Sequence, residues 1–423
     1  MQSNALSAAG RLAEAEAVVR GNLEAAKALH GAEHRHSLGT TLNLGLLLDG
    51  QGKHKEAAQV YSDLLINQTR VLGAEHRDTL NTAMQLAGAA LHEGRNAEAE
   101  RQYSDVLATQ RRVLGESDPA TLTCGMNLAS ALLNLGRFFE AEGMLRANLS
   151  AKMRMLGKEH IDTLMAAMNL GSALKEVGRY DEARDIFREN HRTKARVLGK
   201  AHADTCFAAL NLVAVWDEDG RRVDGEQLEE EEAEGMANAA VAALRTTFGE
   251  DHPSVLSARM HVGMVLTASG RAEEAVELLR QVHAAQLKIH HGEESHPDPL
   301  ETAWRLGCAL ILATPPSICS PPPASPPLLS LAEDTEAITL LRATADLQAQ
   351  QLGSEHPRTL RSLVSLAGAM LAAGGAARAT EAVTLARKCV ASQRLLLDPR
   401  HADIGRAEKI LHLAAELVEP VES

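Results

Sequence analysis

The chain has 423 residues and a net charge of −13, from 43 Lys and Arg against 56 Asp and Glu. That acidic balance repels phosphate backbones and anionic lipid surfaces, and the few rings (Phe 5, Tyr 3, Trp 2) offer no series of stacking platforms, so nucleic acid is set aside as a partner. Scarce aromatics beside abundant small and aliphatic residues favour close-packed helices over sheets.

No apolar run reaches the roughly 20 residues of a membrane span, and Met1–Gly10 lacks the basic start and apolar core of a signal peptide. The expectation is a cytoplasmic protein without membrane insertion. The cysteines, Cys124, Cys206, Cys308, Cys319 and Cys389, are far apart and form no CxxC, which predicts reduced thiols rather than a disulfide scaffold or zinc ribbon.

In chain order, Gly-Arg or Gly-Lys recurs at Gly10, Gly52, Gly94, Gly136, Gly178 and Gly220, in steps of 42 residues. A second glycine series, Gly31, Gly73, Gly115, Gly157 and Gly199, has the same step and lies 21 residues after the first, so each unit has two halves. In one unit Leu122, Met126, Leu128, Ala129 and Leu132 keep helical 3-4 spacing in the first half, as do Phe139, Ala141, Leu145, Leu149, Met153 and Leu156 in the second. Each unit therefore reads as a helical hairpin with glycine at its turns, and Pro119, Pro253 and Pro357 fit first helical turns. The fold class predicted is an all-α, right-handed superhelical solenoid of helical hairpins, since separate domains would not keep register over equal steps.

The pattern divides the chain as follows. Residues 1–30 are a partial repeat represented by its second helix, and 31–248 hold five repeats, the last with an acidic insert. Repeats continue over 249–313, a Pro-rich loop insert occupies 314–330, repeats resume over 331–396, and 397–423 form a C-terminal capping helix and tail. The acidic surplus, Glu226 to Glu234, reads as a solvated helix extension. The Pro-rich stretch forbids helix and reads as a passive excursion, with the Pro323–Pro326 PxxP spacing a weak SH3 or WW ligand.

No catalytic constellation is found: GxxxxGK[ST], GxSxG and HExxH are all absent, and no cofactor is expected. His34, His76, His160, His202, His252, His296, His356 and His401 share one repeat position before each first helix, which spreads them along the array and makes them turn residues rather than metal ligands. His283, His290, His291 and His296 are read as surface residues, and no metal is expected there either.

The pattern Gly-x-Glu-His-x-x-Thr-Leu, then Asn-Leu, then Gly-Arg-x-x-Glu-Ala-Glu, resembles the long tetratricopeptide repeat of kinesin light chains, with Glu-His at 33–34, 75–76, 159–160 and 355–356 and Asn-Leu at 43–44, 127–128, 169–170 and 211–212. Twelve residues after each repeat-start glycine stand Asn43, Gln85, Asn127, Asn169 and Asn211. Asn is unfavourable inside helices, so five amides at one position need a reason beyond propensity. The resemblance implies a concave groove at this position, where the amides would bind the backbone of an extended peptide. The other reading is that each amide satisfies a neighbouring helix. After Gly249 the series gives way to His261, Trp304 and Ser365 at or near the corresponding places, which centres recognition on residues 31–220.

The resulting expectation is a non-enzymatic protein–protein interaction scaffold or adaptor holding a peptide segment of a protein partner in its groove. The alternative is a regulatory repeat array separated from a larger multidomain enzyme or signalling ATPase, suggested by a start inside a repeat. A kinesin heavy chain is admitted as a partner by the resemblance but unsupported, because no heptad coiled coil is present in this sequence.

Overall fold

A computed structural model of the chain describes residues 12–219, 230–290, 292–313, 335–397, 399 and 401–418. The expectations for Gly10, for Gly220 and most of the acidic run, for the Pro-rich insert and for the last five residues lie outside these. Among the described residues there are 18 helices and no strand. They are α1 (Leu12–His30), α2 (Arg35–Gly50), α3 (His54–Leu72), α4 (Arg77–His92), α5 (Asn96–Val113), α6 (Pro119–Asn134), α7 (Phe138–Leu156), α8 (Ile161–Val177) and α9 (Tyr180–Val197). After them come α10 (Ala203–Asp219), α11 (Glu230–Phe248), α12 (Pro253–Ala268), α13 (Ala272–Ile289), α14 (Pro297–Ala313), α15 (Glu336–Leu352), α16 (Pro357–Ala373), α17 (Ala376–Leu396) and α18 (Ala402–Val418). The chain is an all-α array of helical hairpins, as the 42-residue recurrence requires.

Two compact units divide it, residues 1–157 and 158–423. In the first, α1 precedes the hairpins α2–α3, α4–α5 and α6–α7. In the second, five hairpins from α8–α9 to α16–α17 are followed by α18. Consecutive helices pack together inside each unit, and first helices also meet the first helix of the next hairpin, as α4 meets α6 and α12 meets α14.

The recurring glycines and histidines explain the turns. At all eight histidines of the repeat series Nδ1 accepts a hydrogen bond from the backbone N–H two residues on, as His160 does from Asp162 at 3.2 Å and His356 from Arg358 at 3.2 Å. Asp118 does the same for Ala120 at 2.9 Å, so the imidazole stands in for the short polar side chain that normally caps a helix. In four of these turns a Thr or Ser three residues further donates to the repeat-start glycine, as Thr79 does to the Gly73 carbonyl at 2.9 Å.

Between the helices of a hairpin the core is tight. Gly171 on α8 faces Phe187 on α9 so closely that a Cβ would fall 2.6 Å from the ring. One polar row is sealed inside as well: Gln68, Gln110, Lys152 and Lys194, 42 residues apart on the second helices, are buried, and so are Gln286, Gln348 and Gln393. Asn190 donates to the Leu164 carbonyl at 2.6 Å, and Asn148 likewise to that of Leu122, tying each second helix to its own first helix.

Candidate peptide-binding groove

The first helices carry the five amides at one register position, but their surroundings differ. Asn43 on α2 is exposed and lines an open cleft of about 480 Å³ between α1 and α2, with His36, Thr40, Asn22, Ala26 and Leu29. Gln85 on α4 and Asn127 on α6 are half-buried, as are Asn169 on α8 and Asn211 on α10. Asn127 is hydrogen-bonded to the hydroxyl of Tyr103, a buried ring on α5. Burial pushes that phenol well above its usual range, and the Asn127 bond works in the opposite direction. Among the described residues the side chains of Asn43, Gln85, Asn169 and Asn211 have no hydrogen-bond partner.

The residue 24 positions before each amide varies, being Val19, Tyr61, Tyr103, Leu145 and Phe187 in turn; of the two hydroxyls, that of Tyr103 meets Asn127, while that of Tyr61 has no partner among the described residues. Tyr103 stands at that offset from Asn127, whereas Phe187 stands at the same offset from Asn211 and has no hydroxyl to offer.

In the second unit the register position continues into different chemistry. His261 on α12 is half-buried with Nδ1 2.8 Å from the Ser257 carbonyl, and burial lowers its affinity for a proton. The helix-capping His296 comes four residues after Gly292 where other turns have three, so counting from the cap places Arg305, rather than Trp304, in register. Trp304 is buried and donates from Nε1 to Ser365 Oγ on α16 at 3.0 Å, which joins two neighbouring first helices directly.

The guanidinium carbons of Arg305 and Arg361 lie 4.4 and 4.9 Å from the centre of the Trp304 ring, a cation–π pair of contacts on one indole. Arg305 also pairs with Glu301 at 3.2 Å. Burial raises the pKa of the Glu301 carboxyl, but the charges of Arg305, Arg361, Arg358 and Lys175 outweigh it and hold the group below the usual carboxylate range.

Lys175 belongs to the end of α8, and its appearance beside Glu301 marks a contact across the second unit. Glu176 lies 3.9 Å from Arg361 on α16, and Tyr180 at the start of α9 has its hydroxyl 3.5 Å from His401 Nε2. Gly178 between them has φ +94, and a Cβ there would fall 3.1 Å from the His401 Cα. Asp403, the second residue of α18, pairs with Arg406 at 3.2 Å and lies 3.8 Å from Arg361. The first hairpin of this unit thus touches its last two first helices, with ions of both signs between them.

Sequence reasoning did not foresee this closure, because no spacing links residues 178 and 401. It also missed the buried polar row on the second helices, although its 42-residue step was there to be read.

Comparison with known proteins agrees with this architecture. The tetratricopeptide repeat profile matches residues 39–112, 78–146 and 124–189, and a second profile of that description matches 255–298. No curated protein matches. Among solved structures, a Podosopora anserina putative kinesin light chain with nearly identical TPR-like repeats is 26% identical, over 51% of this chain and 98% of its own, with a TM-score of 0.41. BtubC (BKLC) from P. vanneervenii is 21% identical over 57% of this chain and 94% of its own, with a TM-score of 0.44. A Rap protein complexed with Competence and Sporulation Factor is 8% identical over 90% of this chain and 98% of its own, and its TM-score of 0.51 shows a shared fold. Residues 39–189 and 255–298 carry tetratricopeptide repeats. Their sequence pattern resembles the repeat of kinesin light chains, and tetratricopeptide repeats serve as protein-interaction scaffolds.

Proposed function

We propose that the protein is a cytoplasmic, non-enzymatic adaptor that holds an extended peptide segment of a partner protein along its first helices. Asn43 and Gln85 provide the contacts in the first unit, Asn169 and Asn211 in the second. The observation that carries this reading is a contrast within the same repeats: Asn148 and Asn190 on second helices are buried and donate to backbone carbonyls, whereas these four amides are partly open and make no hydrogen bond among the described residues. An extended peptide presents N–H and C=O groups in alternation, which a row of amides at a fixed repeat spacing can meet. Asn127 is assigned instead to packing, through Tyr103. A Rap protein of the same fold was solved with Competence and Sporulation Factor bound, which is in keeping with this use of such an array.

The test is a peptide-display selection on the full chain, followed by affinity measurement of the best sequence against Asn169→Ala/Asn211→Ala. Two hydrogen bonds to neutral backbone groups at about 0.5–1.5 kcal/mol each give a loss of roughly five- to 150-fold, with helicity unchanged. A folded double variant with wild-type affinity would remove these amides from the binding account.

A further inference from the structure

The turn between α13 and α14 departs from every regular turn of its kind in the chain. From the glycine opening the second helix to the next capping residue the distance is 24 residues in Gly52–His76, Gly94–Asp118, Gly136–His160 and Gly178–His202, but 26 in Gly270–His296. The two extra residues let His290, at the C-terminal end of α13, lie over His296, the cap of α14. Beside both rings stands the Asp298 carboxylate, with Oδ2 3.6 Å from His290 Nε2 and 3.9 Å from His296 Nδ1. One ligand atom from each of the three residues falls within 4.8 Å of the others.

We propose that His290, His296 and Asp298 form a binding site for a borderline divalent ion of the zinc class. Imidazole nitrogen with one carboxylate oxygen suits Zn²⁺, Ni²⁺ or Cu²⁺, whereas Mg²⁺ and Ca²⁺ select oxygen sets. Ligands about 2.0–2.1 Å from a tetrahedral ion are separated by roughly 3.3 Å, so the carboxylate needs only a small contraction towards each ring, within a set whose ligand atoms lie within 4.8 Å of one another. Exposed Glu293 and Glu294 add negative charge to the same turn, and the Glu294 charge reaches His283, two turns before His290 on α13.

The metal-free geometry says what binding must change. The two rings are stacked, with centroids 3.5 Å apart and planes 17° from parallel, so their lone pairs run side by side and one ring has to turn before both can aim at an ion. His290 is free to do so, because it ends its helix in the enlarged turn, while His296 is fixed by accepting the Asp298 N–H at 3.3 Å. A ring that accepts at Nδ1 carries its proton on Nε2, so coordination through either nitrogen exchanges the cap bond for a metal bond. That exchange holds the affinity to the micromolar range rather than that of a preformed cage. Three protein ligands leave the fourth position to water or to an incoming group.

Neighbouring turns provide the internal control. His30 stacks on His34 and Phe248 on His252 with centroids 4.7 and 4.5 Å apart, but neither pair belongs to a three-ligand cluster among the described residues. Stacking on the cap is thus a general feature of these turns, and the added carboxylate with a second imidazole is particular to this one.

The full chain is titrated with Zn²⁺ by calorimetry and with Co²⁺ by visible absorption, and His290→Leu and Asp298→Asn are compared with the parent. The expected result is one micromolar equivalent in the parent, weakened at least about tenfold in each variant, with the d–d absorption of bound Co²⁺ falling in parallel. His290→Leu leaves the cap intact and Asp298→Asn leaves both rings, so a folding defect in one variant does not touch the other. Parent protein that binds no Zn²⁺ below millimolar concentration, or an equivalent that survives in both variants, overturns the proposal.

Discussion

Replacing Asn127 by Ala should destabilise the protein, whereas the same change at Asn169 or Asn211 should not, although all three occupy one repeat position. Asn127 is bonded to the Tyr103 hydroxyl, and the Tyr103 ring is only 2% exposed. Removing the partner of a buried hydroxyl costs about 1–3 kcal/mol. Ala is a better helix former than Asn by roughly 0.6 kcal/mol, which leaves a net loss of about 0.5–2 kcal/mol. For a unit of some 150 residues each kcal/mol moves the melting point about 2–4 °C, so the midpoint should fall by several degrees. At Asn169 and Asn211 no internal bond is lost, and the propensity gain leaves stability equal or slightly raised. Circular dichroism melts of the three single variants measure this directly. A Tyr103→Phe background sharpens the result, because Asn127→Ala should then cost almost nothing more. Equal stability of Asn127→Ala and the parent, or an equal loss at Asn211, would refute the division of these amides into packing and binding roles.

Two further outcomes follow from the interior of the second unit. Lys194 is 2% exposed and burial lowers its pKa, the Asp204 charge opposing this only in part, so the unfolded chain binds more protons than the folded one between the folded pKa and the ordinary value near 10.5. Stability should therefore rise with pH through that window, and Lys194→Gln, which installs the residue found at this place in other repeats, should raise stability near neutral pH and flatten the rise; urea titrations at several pH values measure both, and an unchanged slope refutes it. Gly178→Ala adds a strained φ and a contact 3.1 Å from the His401 backbone, and overpacking of this kind costs roughly 1–3 kcal/mol. Hydrogen exchange should then quicken in the first turn of α18 and not in α12, and equal protection at both places would show that the closure bears no load.

How much of this was legible in the sequence depends on the range of the interaction. The capping histidines follow from spacing alone, because a cap is satisfied by a backbone N–H two residues away and its geometry repeats with the repeat. The hairpins follow for the same reason, since Gly-Arg fixes where the second helix begins and the next glycine where it ends. The role of Asn127 was not legible in this way, because Tyr61 and Tyr103 both stand 24 residues before an amide, yet of the two hydroxyls only that of Tyr103 has a partner among the described residues. Likewise, nothing in the sequence marks a unit boundary at Gly157, where the repeat pattern is as regular as at Gly73, so the division depends on small differences in packing that periodicity averages away. The contact of Gly178 with His401 spans 223 residues and has no local signature. His290 presents the intermediate case. Its helical spacing from His283 points to a surface residue, and only the two-residue lengthening of the turn, visible once Gly270–His296 is counted against its counterparts, brings it to Asp298. In a repeat protein the informative residues are therefore those that break the period, because regular positions are determined by the stack and the irregular ones are left for chemistry particular to this chain.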